Sequence, residues 1–121
     1  MNLDGTKILI VDDETDLCLV LSWEFEDVGM EVLQANSGNK AIEVLKQNSV
    51  DVVLSDIKMP DGDGVVLLEY IKEHSVPIKA TYLMTGYSDY PEEELLKKGM
   101  TKLLSKPINT NDLIEELKSL K

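Results

Sequence analysis

Three acidic side chains follow the most apolar segment of the chain. Residues 8–14 read ILIVDDE, so four large aliphatic residues lead directly into Asp12, Asp13 and Glu14. Adjacent carboxylates repel one another, and burial raises the free energy of each charge. A hard divalent cation such as Mg²⁺ would offset this repulsion, because it prefers carboxylate oxygens and keeps several water ligands. The segment therefore indicates a candidate metal site.

Further reactive groups follow three other apolar segments. Asp56 occurs in LSDIKMP, Thr85 in LMTGYS and Lys106 in LLSKP. An aspartate can accept a phosphoryl group as an acyl phosphate. A lysine and a hydroxyl could then hold the remaining phosphoryl oxygens. Together with the acids at 12–14, these side chains indicate phosphoryl chemistry assisted by a divalent cation.

The elements that must position these groups alternate along the chain. The 121 residues suit one domain, 1–121. Aliphatic runs predict five strands, at 7–11, 31–35, 51–55, 80–85 and 101–105. Apolar residues at helical spacing predict five helices, at 14–28, 37–48, 64–74, 90–98 and 110–120. This alternation predicts an α/β fold, a doubly wound five-stranded parallel sheet with five helices on its two faces. Ligands bind at the carboxyl ends of such strands, so the reactive groups are expected to converge there.

Composition excludes several classes of function. The formal net charge of −11 would repel a nucleic acid, so we expect no direct nucleic acid binding by this domain. No apolar run approaches 18 residues, and we expect neither a membrane span nor secretion. Cys18 is the single cysteine, which excludes an intrachain disulfide and favours a cytoplasmic location.

The motifs VDDE, LSDIKMPDGDG, MTG and SKP, in this order and spacing, resemble those of response-regulator receiver domains of two-component signalling. The resemblance covers nearly the whole chain and implies a flavodoxin-like fold similar to that of chemotaxis regulators. It implies that Asp56 is the phosphoacceptor and that Thr85 binds a phosphoryl oxygen. It also implies that Lys106 pairs with the carboxylate or the phosphoryl group, and that the peptide bond between Lys106 and Pro107 is cis.

The same resemblance implies a cofactor and partners. Mg²⁺ would be held by Asp12, Asp13, Asp56 and the backbone carbonyl of Lys58. The phosphoryl donor would be a phosphohistidine on a sensor histidine kinase or a histidine phosphotransfer protein, and an unknown downstream protein would bind the modified state. The domain would catalyse only its own phosphorylation and dephosphorylation, so we expect a switch rather than a metabolic enzyme.

Two other functions stay open at this stage. One is a receiver-like interaction module that is never phosphorylated. The other is a phosphatase with an aspartate nucleophile, similar to haloacid dehalogenases, whose D-x-D-G-T motif should follow the first strand. NLDGT at 2–6 precedes that strand and lacks the first aspartate, and Asp56 is followed by Ile57 and Lys58, so the phosphatase is disfavoured.

The chain departs from the receiver pattern at two places. Leu103 stands where receivers usually have an aromatic switch residue, and the stretch from Thr85 to Gly99 is one residue shorter than usual. The usual output mechanism is therefore not carried over. Two bulky side chains, Lys58 and Tyr87, are expected to obstruct hydrolytic water and to give a slowly hydrolysing phosphorylated state.

The first predicted helix carries its apolar stripe at Leu17, Val20, Leu21 and Val28. Leu19 and Trp23 lie four residues apart outside this stripe. We interpret them as peripheral packing in preference to a partner-contact patch.

Overall fold

Five strands and five helices alternate in the computed structural model, which describes residues 3–86 and 91–120. The strands are β1 (Lys7–Val11), β2 (Glu31–Ala35), β3 (Val52–Asp56), β4 (Ala80–Thr85) and β5 (Lys102–Ser105). The helices are α1 (Thr15–Glu26), α2 (Gly38–Gln47), α3 (Gly64–Glu73), α4 (Glu92–Lys97) and α5 (Thr110–Ser119). The bounds differ from the predicted ones by at most two residues. Within the described ranges, no helix combines the length and the apolar content needed to cross a membrane.

The strands form one parallel sheet in the order β2-β1-β3-β4-β5. The chain moves from β1 to one side, returns to place β3 on the other side, and then continues outward. The direction of winding thus reverses between β1 and β3, and a crevice opens at their carboxyl ends. The predicted doubly wound α/β fold is confirmed.

Alternate residues of the central strands enter different layers of the core. Ile8 and Ile10 face the layer built with α1 and α5, whereas Leu9 and Val11 face the layer built with α2 and α3. A third cluster lies between the sheet, α3 and α4. Its buried members are Ile57, Leu68, Leu83, Leu95 and Met100, with Leu103 packed against them. Helices therefore cover the sheet on both faces, which explains why β1 and β3 read as continuous apolar runs.

The buried face of α1 differs from the predicted one. Val20 is 47% exposed although it was expected in the apolar stripe. Leu19 and Trp23 are 44% and 59% exposed, and their interpretation as peripheral packing stays a prediction. The buried stripe instead contains Cys18, Leu21, Ser22 and Phe25. These positions follow helical spacing, so the observed helix is rotated about its axis relative to the predicted one.

A hydroxyl at the centre of that buried stripe is fully hydrogen-bonded. Ser22 Oγ donates to the Cys18 carbonyl oxygen at 2.7 Å and accepts from Gln34 Nε2 at 2.8 Å. Burial of a polar group is costly only when its hydrogen bonds are lost. Ser22 can therefore replace an apolar residue between α1 and β2.

Candidate functional site

The carboxyl edge of the sheet gathers the reactive groups predicted from the sequence. Asp12 follows β1, Asp56 ends β3, Thr85 ends β4 and Lys106 follows β5. The register aligns these ends, because Asp56 lies opposite Met84, one residue before Thr85. The parallel topology thus brings groups that are far apart in the sequence to one rim.

Three carboxylates at this rim are close enough to share a cation. One ligand oxygen from each of Asp12, Asp13 and Asp56 lies within 4.8 Å of the others. Asp12 is fully buried, Asp56 is partly buried and Asp13 is exposed. The exposed member leaves an approach from solvent, and the oxygen donor set suits a hard divalent ion. The cluster therefore fits the magnesium site expected from the sequence.

Lys106 places its ammonium group among these carboxylates. Nζ lies 3.1 Å from Oδ2 of Asp12 and 3.1 Å from Oδ2 of Asp56, and 3.6 Å from Oε1 of Glu14. The peptide bond between Lys106 and Pro107 is cis, as the resemblance implied. One cationic side chain thus offsets part of the repulsion among the acids.

Main-chain amides orient the two carboxylates that contact Lys106. Asp56 Oδ1 accepts from the N–H of Ile57 at 2.9 Å, and Asp12 Oδ1 accepts from the N–H of Glu14 at 2.9 Å. Each acid therefore has one oxygen bonded to the backbone and the other directed at the ammonium group. Such fixed orientations lower the reorganisation needed when a charged group binds.

Burial and their mutual contacts shift the pKa values of Asp12 and Lys106. Desolvation raises the pKa of Asp12 above its ordinary value, although hydrogen bonds from the Glu14 N–H and from Lys106 oppose this, and the charge of Asp56 adds to it. Burial lowers the pKa of Lys106, but hydrogen bonds to Asp12 and Asp56 outweigh it, so the pKa is raised. The lysine thus stays charged at neutral pH, while Asp12 is the acid that a bound cation would relieve most.

A cleft of about 430 Å³ opens beside the carboxylate cluster. It is lined by Asp56, Lys58, Thr85, Gly86 and Lys106. Thr85 is buried and Lys58 is exposed, so the walls combine a hydroxyl, an ammonium group and the phosphoacceptor candidate. Tyr87, the second residue predicted to obstruct water, lies outside the described residues.

Sequence reasoning missed two contacts of the site. Glu14 contacts Lys106, and Cys18 Sγ lies 3.4 Å from the Asp12 carbonyl oxygen, to which it donates. Burial raises the pKa of the Cys18 thiol to about 11, which keeps it neutral. Helical spacing from Leu21 and Phe25 could have indicated that Cys18 is buried, whereas no sequence signal links Glu14 to Lys106.

Comparison with known families gives a match over most of the chain. Residues 8–118 match the family model of the response regulator receiver domain. Transcriptional regulatory protein ZraR of Escherichia coli K12 is 35% identical over 114 residues, which are 93% of this chain and 26% of ZraR. Autoinducer 1 sensor kinase/phosphatase LuxN of Vibrio campbellii is 34% identical over 113 residues, which are 93% of this chain and 13% of LuxN. The chain thus spans about a quarter or less of the length of these curated relatives.

Solved structures give the same family. A CheY-like response regulator receiver domain protein from Methanospirillum hungatei has a TM-score of 0.86 and 30% identity, covering 94% of this chain and 91% of that chain. The response regulator TrrA from Thermotoga maritima, solved in complex with Mg²⁺ and BeF, has a TM-score of 0.84 and 28% identity, covering 96% of this chain and 99% of that chain. The fold and the family are therefore the same in both comparisons.

Proposed function

The chain belongs to the response regulator receiver domain family of two-component signalling, and from this premise we propose that it is a Mg²⁺-dependent switch phosphorylated on Asp56. One observation carries the proposal. Asp56 belongs to the carboxylate cluster and also lines the cleft, and Lys106 Nζ lies 3.1 Å from its Oδ2. This arrangement supports an acid that can accept a phosphoryl group while its charge is held by neighbouring residues.

In the proposed reaction, a carboxylate oxygen of Asp56 attacks the phosphorus of a phosphohistidine. A P–O bond to Asp56 forms, the P–N bond breaks, and the imidazole leaves with the electron pair and takes a proton from water. Lys106 donates to a phosphoryl oxygen, and the hydroxyl of Thr85 donates to another. Hydrolysis reverses the modification, as water attacks the phosphorus and the Asp56 carboxylate leaves.

The residues that would hold Mg²⁺ are Asp12, Asp13, Asp56 and the main-chain carbonyl of Lys58. When bound, the ion would neutralise negative charge on the carboxylates and on the transferred phosphoryl oxygens. Asp12 contributes a buried carboxylate whose orientation is fixed by the N–H of Glu14. Asp13 contributes an exposed carboxylate on the side from which solvent and ligands arrive.

The modification would act by changing a conformational equilibrium. A phosphoryl group adds charge beside Lys106 and Thr85 and biases whichever conformation pairs with it. Leu103 packs against the cluster that contains Ile57, the residue after Asp56. This leucine has no ring to swing inward, so we propose that the output uses repacking of the α3–α4 side rather than an aromatic switch.

The proposed donor is a protein that carries phosphohistidine, in keeping with the similarity to segments of sensor kinases such as LuxN. Leu19, Val20 and Trp23 form an exposed apolar surface on α1. A largely apolar groove continues this surface past Val20 to Lys106. A donor that contacts this surface and groove would reach Lys106, whose Nζ lies 3.1 Å from Asp56 Oδ2. We further propose that the domain works in the cytoplasm and serves as a switch, without a metabolic substrate.

Incubation with acetyl phosphate and Mg²⁺ tests the proposal. Intact mass spectrometry should show the gain of one phosphoryl group, and peptide mapping should place it on Asp56. Asp56→Asn, or the wild type with a chelator in place of Mg²⁺, should show no gain. Asp13→Ala should lose both Mg²⁺ binding by calorimetry and phosphoryl uptake. A wild type that stays unmodified would support the silent interaction module instead.

A further inference from the structure

The loop between β3 and α3, residues 57–63, carries the Lys58 carbonyl proposed as a cation ligand. The base of the loop is closed, because the N–H of Gly64 donates to the Ile57 carbonyl oxygen at 2.7 Å. Met59 is buried in the core layer built with α2 and α3. Lys58 lies between these two anchors, and the tip of the loop joins Met59 to Gly64. Contacts that hold the tip therefore restrain the closed loop from which the Lys58 carbonyl projects.

Asp61 holds the tip of this loop against the beginning of α2. Its Oδ2 accepts from Ser37 Oγ at 3.2 Å and its Oδ1 accepts from Asn39 Nδ2 at 3.1 Å. The carbonyl oxygen of Asp61 accepts from the N–H of Asn39 at 3.2 Å. Ser37 Oγ also accepts from the N–H of Lys40 at 3.1 Å, so the N-cap of α2 is at the same time a donor to Asp61.

The main chains of the two segments are in direct contact beside these bonds. The N–H of Gly38 donates to the Gly62 carbonyl oxygen at 2.7 Å, and a Cβ at Gly38 would lie 2.7 Å from that oxygen. Asp61 has φ 60°, in the left-handed region that few residues other than Gly, Asn and Asp adopt. The loop therefore takes a disfavoured backbone conformation at the point where it is bonded to α2.

We infer that Asp61 is a positioning residue for the cation site, acting through the loop that presents the Lys58 carbonyl. The inference rests on the proposed function, because Lys58 matters only if the domain binds Mg²⁺. Without the contacts to Ser37 and Asn39, the loop samples conformations in which this carbonyl points elsewhere. The apparent dissociation constant then rises in inverse proportion to the population of the competent conformation.

Calorimetric titration of Mg²⁺ into the metal-free domain tests this role with Asp61→Gly. Glycine adopts a positive φ freely, so this variant removes the carboxylate bonds without adding backbone strain. We expect binding about three- to tenfold weaker than in the wild type, for a loop that is competent one third to one tenth of the time. A residue with only a structural role would lower the melting temperature and leave the dissociation constant unchanged.

Asp63→Asn is the matched control. It removes one negative charge from the same loop, and asparagine can still cap α3 at the N–H of Val66. We expect its Mg²⁺ dissociation constant to stay within about twofold of the wild type, the size of effect left for a distant screened charge. Equal weakening in Asp63→Asn and Asp61→Gly would mean that charge, and not positioning, sets the affinity, and would overturn the inference.

Two further measurements separate this inference from the proposed function. In the metal-free protein, amide hydrogen exchange at Gly38 should be faster in Asp61→Gly, and unchanged protection would overturn the inference. Asn39→Ala should weaken Mg²⁺ binding less than Asp61→Gly does. The double variant should bind Mg²⁺ no more weakly than Asp61→Gly alone, because both substitutions act on one contact. A wild type that binds no Mg²⁺ overturns the proposed function. If the wild type and Asp61→Gly have the same Mg²⁺ dissociation constant, only the positioning role is overturned.

Discussion

Replacing Lys106 by methionine removes the ammonium group and keeps most of the aliphatic side chain. In the metal-free protein, the change leaves Asp12 and Asp56 without the Nζ that lies 3.1 Å from each. Asp12 is fully buried, so hydration of its carboxylate compensates only in part for the lost partner. We therefore expect Lys106→Met to be strongly destabilised when no divalent cation is present.

The magnitude follows from the burial of the pair. Removing one partner of a buried ion pair costs about 3–5 kcal/mol, and the partial exposure of Lys106 and Asp56 reduces this through solvent screening. Asp12 can also escape by protonation. Protonation at pH 7 costs about 1.4 kcal/mol for each pH unit above the ordinary pKa of 3.8, which is roughly 4 kcal/mol in total. This cost is the upper limit to the loss of stability. A loss of about 2–4 kcal/mol corresponds to a melting temperature lower by roughly 8–16 °C for a chain of this length.

Mg²⁺ should reverse much of this loss. In the wild type a bound cation would compete with the Lys106 ammonium group for the Oδ2 oxygens of Asp12 and Asp56. In Lys106→Met these oxygens are unopposed, so we expect tighter Mg²⁺ binding. Each tenfold gain in affinity adds about 1.4 kcal/mol of stabilisation at saturating Mg²⁺. The Mg²⁺-dependent rise in melting temperature should therefore be larger in the variant than in the wild type.

Thermal melts with a chelator and with millimolar Mg²⁺ provide the assay. Lys98→Met is the control, since Lys98 Nζ lies only 2.7 Å from Glu69 but both side chains are exposed. An exposed pair contributes little, so this variant should melt close to the wild type despite the shorter distance. The reasoning is refuted if Lys106→Met melts like the wild type in chelator, or if its deficit is the same with and without Mg²⁺.

Three further predictions concern other parts of the domain. The hydrogen bond from Tyr82 and, to a smaller extent, the contact with the Lys102 ammonium group lower the pKa of Glu116. This stabilisation is present above the ordinary pKa of 4.5 and is lost as pH falls through the lower folded value. Glu116→Gln should thus cost about 1 kcal/mol at neutral pH and nothing in strong acid, and a deficit independent of pH in denaturant titrations would contradict this. Lys58→Ala should speed loss of the phosphoryl group after donor removal by about fivefold, and unchanged decay would remove its shielding role. Trp23→Lys should slow phosphoryl transfer from a phosphohistidine protein but not from acetyl phosphate. If the variant and the wild type accept phosphoryl from the protein donor at the same rate, the α1 surface is excluded as the donor contact.

The placement of the reactive groups could be predicted because parallel strands share one direction. Continuous apolar runs mark β1 and β3 as strands covered on both faces, and the first polar residues after them must then lie at the same rim. Asp12, Asp56, Thr85 and Lys106 meet there for that reason. Their chemical roles stay predictions, because proximity alone does not show which group binds a cation or accepts a phosphoryl group.

Features that depend on tertiary partners could not be predicted. Hydrophobicity favours Val20 over Ser22 as a buried residue of α1, but Ser22 is buried because Cys18 and Gln34 satisfy its hydroxyl. The contact of Asp61 with α2 likewise depends on how the β3–α3 loop meets the beginning of that helix. A turn-like sequence such as PDGDG indicates a bend, yet it carries no information about the surface on which the bend rests.

The charge balance of the site explains why a cation should control its chemistry. Four carboxylates, Asp12, Asp13, Glu14 and Asp56, are grouped around the Lys106 ammonium group, which leaves three net negative charges. A phosphoryl group that approaches this site is itself an anion, so transfer without a further cation works against strong repulsion. A divalent ion would reduce the net charge to one, and Lys106 could then turn from the carboxylates towards the phosphoryl oxygens. The lysine would thus have two uses at different stages, because it would stabilise the metal-free fold and then pair with the proposed phosphoryl group, and only its contacts would need to change.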